Sequence, residues 1–177
     1  MEILALIGSP RKGGNTDILV DKILTGAGEN GHSSEKIYLY DCDISACLDC
    51  RKCKRRDNNC AIADGMSGIY PKLAAADMII FGTPVYWYGP TAKMKLLIDR
   101  LRPFIASARL TRKKGIVVIP SEEGDSCCGP LIQMFRMSFE YLDMDFAGSI
   151  LAKAYEKGEI RNNLAELDRA YALGKSM

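Results

Sequence analysis

Short, continuously apolar runs alternate with amphipathic stretches five times along this chain, and that alternation leaves few folds open. Ile3 to Ile7, Lys36 to Tyr40, Met78 to Gly82, Gly115 to Pro120 and a run within Met144 to Ala152 read as strands. Several are apolar at successive positions, which fits burial on both faces. Between them, helical spacing predicts helices over about 15–29, 66–76, 91–101, 130–142 and 162–173. Pro130 sits at the first turn of the fourth, where its missing N–H costs nothing. Strands and helices in strict alternation give a doubly wound α/β fold: a five-stranded parallel sheet with helices on both faces. The 177 residues suit a single domain over 1–177, and no repeat or linker divides them. In such sheets a ligand sits beyond the carboxyl ends of the strands, at the point where the strand order reverses. The loops at 8–16, 41–63, 83–91 and 121–129 are therefore where function is expected.

Composition removes several classes. Twenty-four Lys plus Arg against 22 Asp plus Glu leave a net charge of +2, too little for a nucleic-acid binder. No apolar run reaches the roughly 18 residues of a membrane span. The start, MEILALIG, has neither the basic opening nor the apolar length of a secretory signal. A cytoplasmic protein is expected, and disulfides are rare there. The seven cysteines need another explanation, and four of them lie within residues 47–60. One histidine and no Ser–His–Asp or Cys–His pattern argue against acyl-transfer chemistry. No catalytic acid or base is assigned.

Two of the loops have the chemistry of a phosphate ester carrying a flat ring. GSPRKGGNT over residues 8–16 joins the first strand to the first helix. N–H groups at a helix start bind phosphate, and the helix dipole favours the negative charge. Ser9, Asn15 and Thr16 add short polar side chains, and Arg11 adds a bidentate fork. The loop lacks Lys-Ser/Thr after its last glycine, and the chain lacks the dinucleotide fingerprint, so a single phosphate fits best. The bland alternative is a polar turn with a helix cap. TPVYWYGP over 83–90 places Pro84, Val85, Tyr86, Trp87 and Tyr88 after the third strand, where rings line a flat aromatic ligand or form a subunit interface.

The third loop holds Cys47, Cys50, Cys53 and Cys60. C-x2-C-x2-C opens a ferredoxin-type iron–sulfur motif. The fourth ferredoxin cysteine would fall at Asp57, and Cys60 can serve from a slightly longer loop. Zinc is the rival, although four-cysteine zinc sites usually come as two separated C-x2-C pairs. Thiols without metal are the third reading. Lys52, Lys54, Arg55 and Arg56 surround the cysteines. Cations there would favour a reduced, negatively charged cluster or dock an acidic donor; a solvated loop is the plainer reading. Cys42, Cys127 and Cys128 lie outside the motif; Cys127 and Cys128, in a ligand-side loop with no evident base, read as structural or incidental, and His32 reads as a surface residue.

Taken together, GSPRKGGNT, TPVYWYG and KMKLLIDRL resemble the NADPH-dependent FMN reductase family, with its flavodoxin-like fold. The cysteine motif between strands two and three is similar to the iron–sulfur flavoprotein branch of that family. The resemblance is detailed over about residues 1–125 and holds in pattern beyond. It implies one flavodoxin-like, FMN-binding domain with a cysteine-rich insertion at about 41–63. It implies the FMN phosphate on Ser9, Arg11, Asn15 and Thr16, and the ring against Pro84, Val85, Tyr86, Trp87 and Tyr88. It implies a loop from Ser121 to Gly124 closing the ring's other side. It implies a [4Fe–4S] cluster on Cys47, Cys50, Cys53 and Cys60, in a homodimer or homotetramer. This chain departs from the branch in having Asp49 where many members have glycine, and Asp64-Gly65 where they tend to carry paired Asp.

The activity implied is that of an iron–sulfur flavoprotein oxidoreductase. Electrons would pass between cluster and FMN, from ferredoxin or NAD(P)H to oxygen, peroxide or a quinone. A first alternative is an NAD(P)H-dependent FMN or quinone reductase without a cluster. A second is a flavodoxin-like carrier or binding module without turnover, and the +2 charge argues against an acidic carrier of that kind.

Overall fold

The computed structural model describes residues 1–54 and 59–177. Arg55, Arg56 and Asp57, named above, lie outside the described residues. The elements run β1 (Glu2–Ile7), α1 (Asn15–Gly28), β2 (Ser33–Tyr38), α2 (Met66–Ala75), β3 (Met78–Gly82), α3 (Ala92–Asp99), α4 (Pro103–Ser107), β4 (Lys114–Ser121), α5 (Gly129–Tyr141), β5 (Asp145–Lys153) and α6 (Leu164–Lys175). Short 3-10 turns lie at Leu39–Asp41, Lys52–Lys54, Gly124–Cys127 and Glu159–Asn162.

All five strands are parallel, in the order β2-β1-β3-β4-β5. This is the flavodoxin-like order, with its switch point between β1 and β3. Successive side chains on a strand point to opposite faces, and the two cores divide accordingly. Leu4, Leu6, Ile79, Phe81, Val117 and Ile119 pack against α2, α3, α4 and α5. Ile3, Ala5, Ile7, Ile80, Ile116 and Val118 pack against α1 and α6. The latter two helices cross with little between them: a Cβ on Gly174 would stand 1.9 Å from the Ile23 carbonyl oxygen. No helix among the described residues is long and apolar enough to cross a membrane.

The differences from the sequence reading have local causes. β2 occupies Ser33–Tyr38 rather than 36–40, because this polar edge strand is set by pairing with β1, not by an apolar run. The helix expected over 91–101 stops at Asp99, and Pro103 opens the separate α4. Five residues are too few to show a helical period.

The strand order brings the carboxyl ends of β1 and β3 together. Ile7 is registered with Gly82, and the Gly8 N–H donates to the Gly82 carbonyl at 2.7 Å. A Cβ on Gly82 would meet the Thr16 methyl at 2.9 Å, so glycine here lets α1 begin close against the strand end.

Candidate functional site

A cleft of about 160 Å³ opens at this switch point. Its wall contains Ser9, Arg11, Asn15 and Thr16 from the first loop, and Pro84, Val85 and Tyr86 from the loop after β3. Ser121 lies on the opposite side. The fold thus brings together eight of the cofactor residues read from the sequence. Trp87, Tyr88 and Gly124 are not on the wall. Pro120, Glu122, Ala154 and Tyr155 are. Glu122 belongs to the loop at 121–124 that the resemblance implied, and the other three were missed. Their one signal was position, at the end of β4 or just after β5.

The first loop is built to leave donors facing the cleft. Gly13 takes φ +67°, a left-handed conformation that suits glycine. Its N–H donates to Asp17 Oδ2 at 2.7 Å, and the Gly14 N–H donates to the Arg11 carbonyl at 2.9 Å. Asp17 is buried and also accepts from Lys36 Nζ and Tyr38 Oη. Burial alone would raise its pKa, but Lys36, the Gly13 N–H and Tyr38 together hold it below the usual carboxylate range. The first N–H groups of α1 are the ones a helix leaves unpaired. Ser9 Oγ accepts from the Arg11 N–H at 3.2 Å and keeps its own proton for a ligand. Arg11 Nη1 reaches across to the Tyr155 carbonyl at 3.2 Å. Asn15 is engaged at both ends, donating to the Glu156 carbonyl and accepting from the Ile160 N–H. Its side chain therefore ties the segment after β5 to this loop.

The aromatic loop ends in a tight hairpin. Tyr86 and Gly89 exchange N–H···O bonds at 2.9 and 3.0 Å around Trp87 and Tyr88. Both central residues have positive φ, +50° and +60°, in a turn that prefers Asn-Gly. Trp87 is 97% exposed and Tyr88 64%. The rings stand at the mouth of the cleft's aromatic side rather than inside it. On the far side, the Gly124 carbonyl accepts from Ser121 Oγ at 2.6 Å and Cys128 Sγ at 3.1 Å. Burial pushes the Cys128 thiol up, which keeps it a donor. Cys128 is thus structural, as the sequence implied.

The cysteine loop forms a second site. Cys47, Cys50, Cys53 and Cys60 line one small cavity, together with Arg100 and Arg102. Burial pushes the Cys53 thiol up, and the neighbouring Cys60 and Cys47 add to this, with Arg102 opposing. No three His, Cys, Asp or Glu among the described residues stand close enough to share one ion. Asp49 and Arg51, on either side of Cys50, have φ +47° and +57°. Position 49 is the one where the family resemblance led us to expect glycine. Asp49 pairs there with Arg102.

The loop is fastened by a buried ion pair that no sequence pattern announces. Arg100 is 1% exposed and binds Asp64 through both Nη atoms, at 2.6 and 3.1 Å. Asp64 also accepts from the N–H groups of Ser45 and Met66. Although burial works against its charge, these four bonds hold the Asp64 pKa below normal. α3 joins the two sites. Thr91 at its start caps the helix and donates to the Gly8 carbonyl, and Arg100 follows its last turn.

Comparison with known proteins shows the family. Residues 1–154 match the model of the NADPH-dependent FMN reductase family. The chain is 32% identical to an iron–sulfur flavoprotein of Methanocaldococcus jannaschii, over 100% of this chain and 95% of that one. It is 29% identical to a Bacillus subtilis protein provisionally named an NAD(P)H-dependent FMN-containing oxidoreductase, over 99% and 97% of the two chains. Among solved structures, the Trp repressor binding protein from Bacillus subtilis superposes with a TM-score of 0.74 at 27% identity, over 97% of this chain and 96% of that one.

Proposed function

The chain belongs to the NADPH-dependent FMN reductase family and is a flavin-dependent oxidoreductase, and from that premise we propose that it is an iron–sulfur flavoprotein. FMN occupies the switch-point cleft, and a [4Fe–4S] cluster occupies the cavity of Cys47, Cys50, Cys53 and Cys60. Ferredoxin or NAD(P)H is the electron source, and a small molecule such as oxygen, peroxide or a quinone is the sink. When bound, the cofactors supply the redox chemistry, with one-electron exchange at the cluster and one- or two-electron exchange at the flavin.

The residues do the binding and positioning. The Ser9 hydroxyl, the Arg11 guanidinium and the first N–H groups of α1 hold the phosphate. At about 160 Å³ the cleft is smaller than the roughly 300–1,000 Å³ of a typical ligand pocket. It suits the phosphate end, and the ring lies toward Pro84, Val85 and Tyr86 at the mouth. Exposed Trp87 and Tyr88 are left for a second copy of the chain, which favours a homodimer or homotetramer. Thr91 and Arg100, the caps of α3, are nine residues apart, so helical rise sets them about 14 Å apart.

The observation that carries the cluster is the convergence of four cysteines and two arginines on one cavity. The test is iron, acid-labile sulfide and FMN per chain after purification without oxygen. About four iron, four sulfide and one FMN are expected, and Cys50→Ala should lose the iron and keep the flavin. FMN with neither iron nor sulfide, joined to rapid bleaching by NADPH, would make the chain a flavin reductase without a cluster.

A further inference from the structure

Arg100 is among the most deeply buried large side chains of the protein, at 1% exposure. Four of its five N–H groups are spent. Nη1 donates to the Ser45 carbonyl at 2.8 Å and to Asp64 Oδ2 at 2.6 Å. Nη2 donates to Asp64 Oδ1 at 3.1 Å and to the Ile62 carbonyl at 3.4 Å. The fifth, Nε–H, is buried with no partner among the described residues. A buried charged donor left without an acceptor is costly, and such orphans are rare. Arg100 lines the same cavity as Cys47, Cys50, Cys53 and Cys60. The Tyr70 hydroxyl donates to the Arg100 carbonyl at 2.9 Å, not to the guanidinium.

We infer that Arg100 is a positioning residue of the cysteine site, its Nε–H held for a sulfur of the bound cluster. The inference rests on the cluster reading above and adds a residue that the cysteine motif does not contain. Asp64 neutralises the guanidinium and is itself saturated by four donors, so the pair brings almost no net charge. What it brings is one directed hydrogen bond. Hydrogen bonds to cluster sulfur stabilise the reduced, more negative state and raise the potential. Arg102 differs, since it pairs with exposed Asp49 at the rim.

The test is an anaerobic redox titration, followed by EPR, of the full chain beside Arg100→Lys and Arg102→Lys. Iron, sulfide and FMN are counted in each. Arg100→Lys keeps a cation against Asp64 and loses the Nε–H. It should retain the cluster and FMN. At a fixed poise its reduced-to-oxidised ratio should fall about tenfold, a shift of about 59 mV to lower potential for one electron. Arg102→Lys keeps a cation at the cavity rim and should shift the potential by clearly less than Arg100→Lys does. An unchanged potential in fully loaded Arg100→Lys overturns the inference, as does an equal shift in both variants. Where Arg100→Lys loses FMN or iron, parent protein labelled with 15N-arginine decides. Pulsed EPR of its reduced cluster should show a coupled arginine nitrogen that persists in Arg102→Lys, and absence of that coupling overturns the inference. A parent chain that holds FMN but takes up no iron on reconstitution overturns the cluster reading and this inference together. A loaded parent indifferent to Arg100 overturns only the latter.

Discussion

The phosphate loop after β1 and the cysteine loop before α2 meet α3 at opposite ends, and each is fastened by one buried carboxylate. In the first, Asp17 takes Gly13, Lys36 and Tyr38, all from nearby elements of the same βαβ unit. In the second, Asp64 takes an arginine 36 residues away. Lys36 also bridges to exposed Asp21, so it would not be stranded without Asp17. Arg100 has no second carboxylate among its described partners. A local anchor with redundancy holds the loop that every strand–helix junction of this kind needs. A long-range anchor without redundancy holds the inserted one.

The largest expected effect follows from that asymmetry. Asp64→Ala strands a buried guanidinium and should cost about 3–5 kcal/mol. Asp17→Ala removes charge-assisted hydrogen bonds to a partner that keeps Asp21, and should cost about 1.5–3 kcal/mol. Urea unfolding of the two variants measures both. Equal losses would break the distinction between the anchors.

Ligand content gives the next contrast. Arg11→Ala removes one charge-assisted contact to phosphate, worth about 1.5–3 kcal/mol. FMN affinity should fall about 10- to 150-fold, as read by fluorescence titration. Iron per chain should not change. A parallel loss of iron would mean that the two loops act as one unit, through the Lys12–Asp41 ion pair or along α3.

Acid should act on both anchors in the same direction. Each carboxylate has its folded pKa below the unfolded value of about 3.9. The stability each contributes is present above about pH 4 and is lost as pH falls through the lower folded value. Asp17→Asn should therefore flatten the fall in stability between about pH 5 and pH 2. Urea midpoints across that range, compared with the parent, would show it. A curve as steep as the parent's would mean that Asp17 is not depressed.

These contrasts show which parts of the molecule were legible in the sequence. β1 and β3 were, because parallel strands buried on both faces are continuous apolar runs. The loops that form the cleft were, because alternation puts the loop after each parallel strand at the ligand end of the sheet. β2 was placed three residues late, since an exposed edge strand has no apolar signature. The Asp64–Arg100 pair was invisible: Asp64 was noted only as a departure from the branch's pattern and Arg100 only within KMKLLIDRL, and only the fold joins them. Tyr155 and Ala154 were missed because they enter the cleft from the far end of the chain. Trp87 and Tyr88 were legible as a pair of rings at the ligand side. Their exposure was not, because it depends on a hairpin whose residues defy the usual preference for glycine.

That hairpin and the cysteine loop share a backbone device, and the smallest expected effect separates its two uses. Tyr88 and Asp49 both stand in the left-handed region, at φ +60° and +47°. A non-glycine residue there costs roughly 1–2 kcal/mol. Tyr88→Gly relieves that cost and removes a ring that is 64% exposed, so the isolated chain should gain about 1 kcal/mol. Asp49→Gly gains the same backbone relief and gives up the contact with Arg102, so its net effect should be smaller than that of Tyr88→Gly. Thermal unfolding of the two variants at low protein concentration ranks them. If Tyr88→Gly instead destabilises, with a loss that deepens as concentration rises, the ring is buried by a second copy of the chain. The strain at the hairpin would then be the cost of holding two aromatic side chains ready for that contact, while the strain at Asp49 serves only to turn the chain around Cys50.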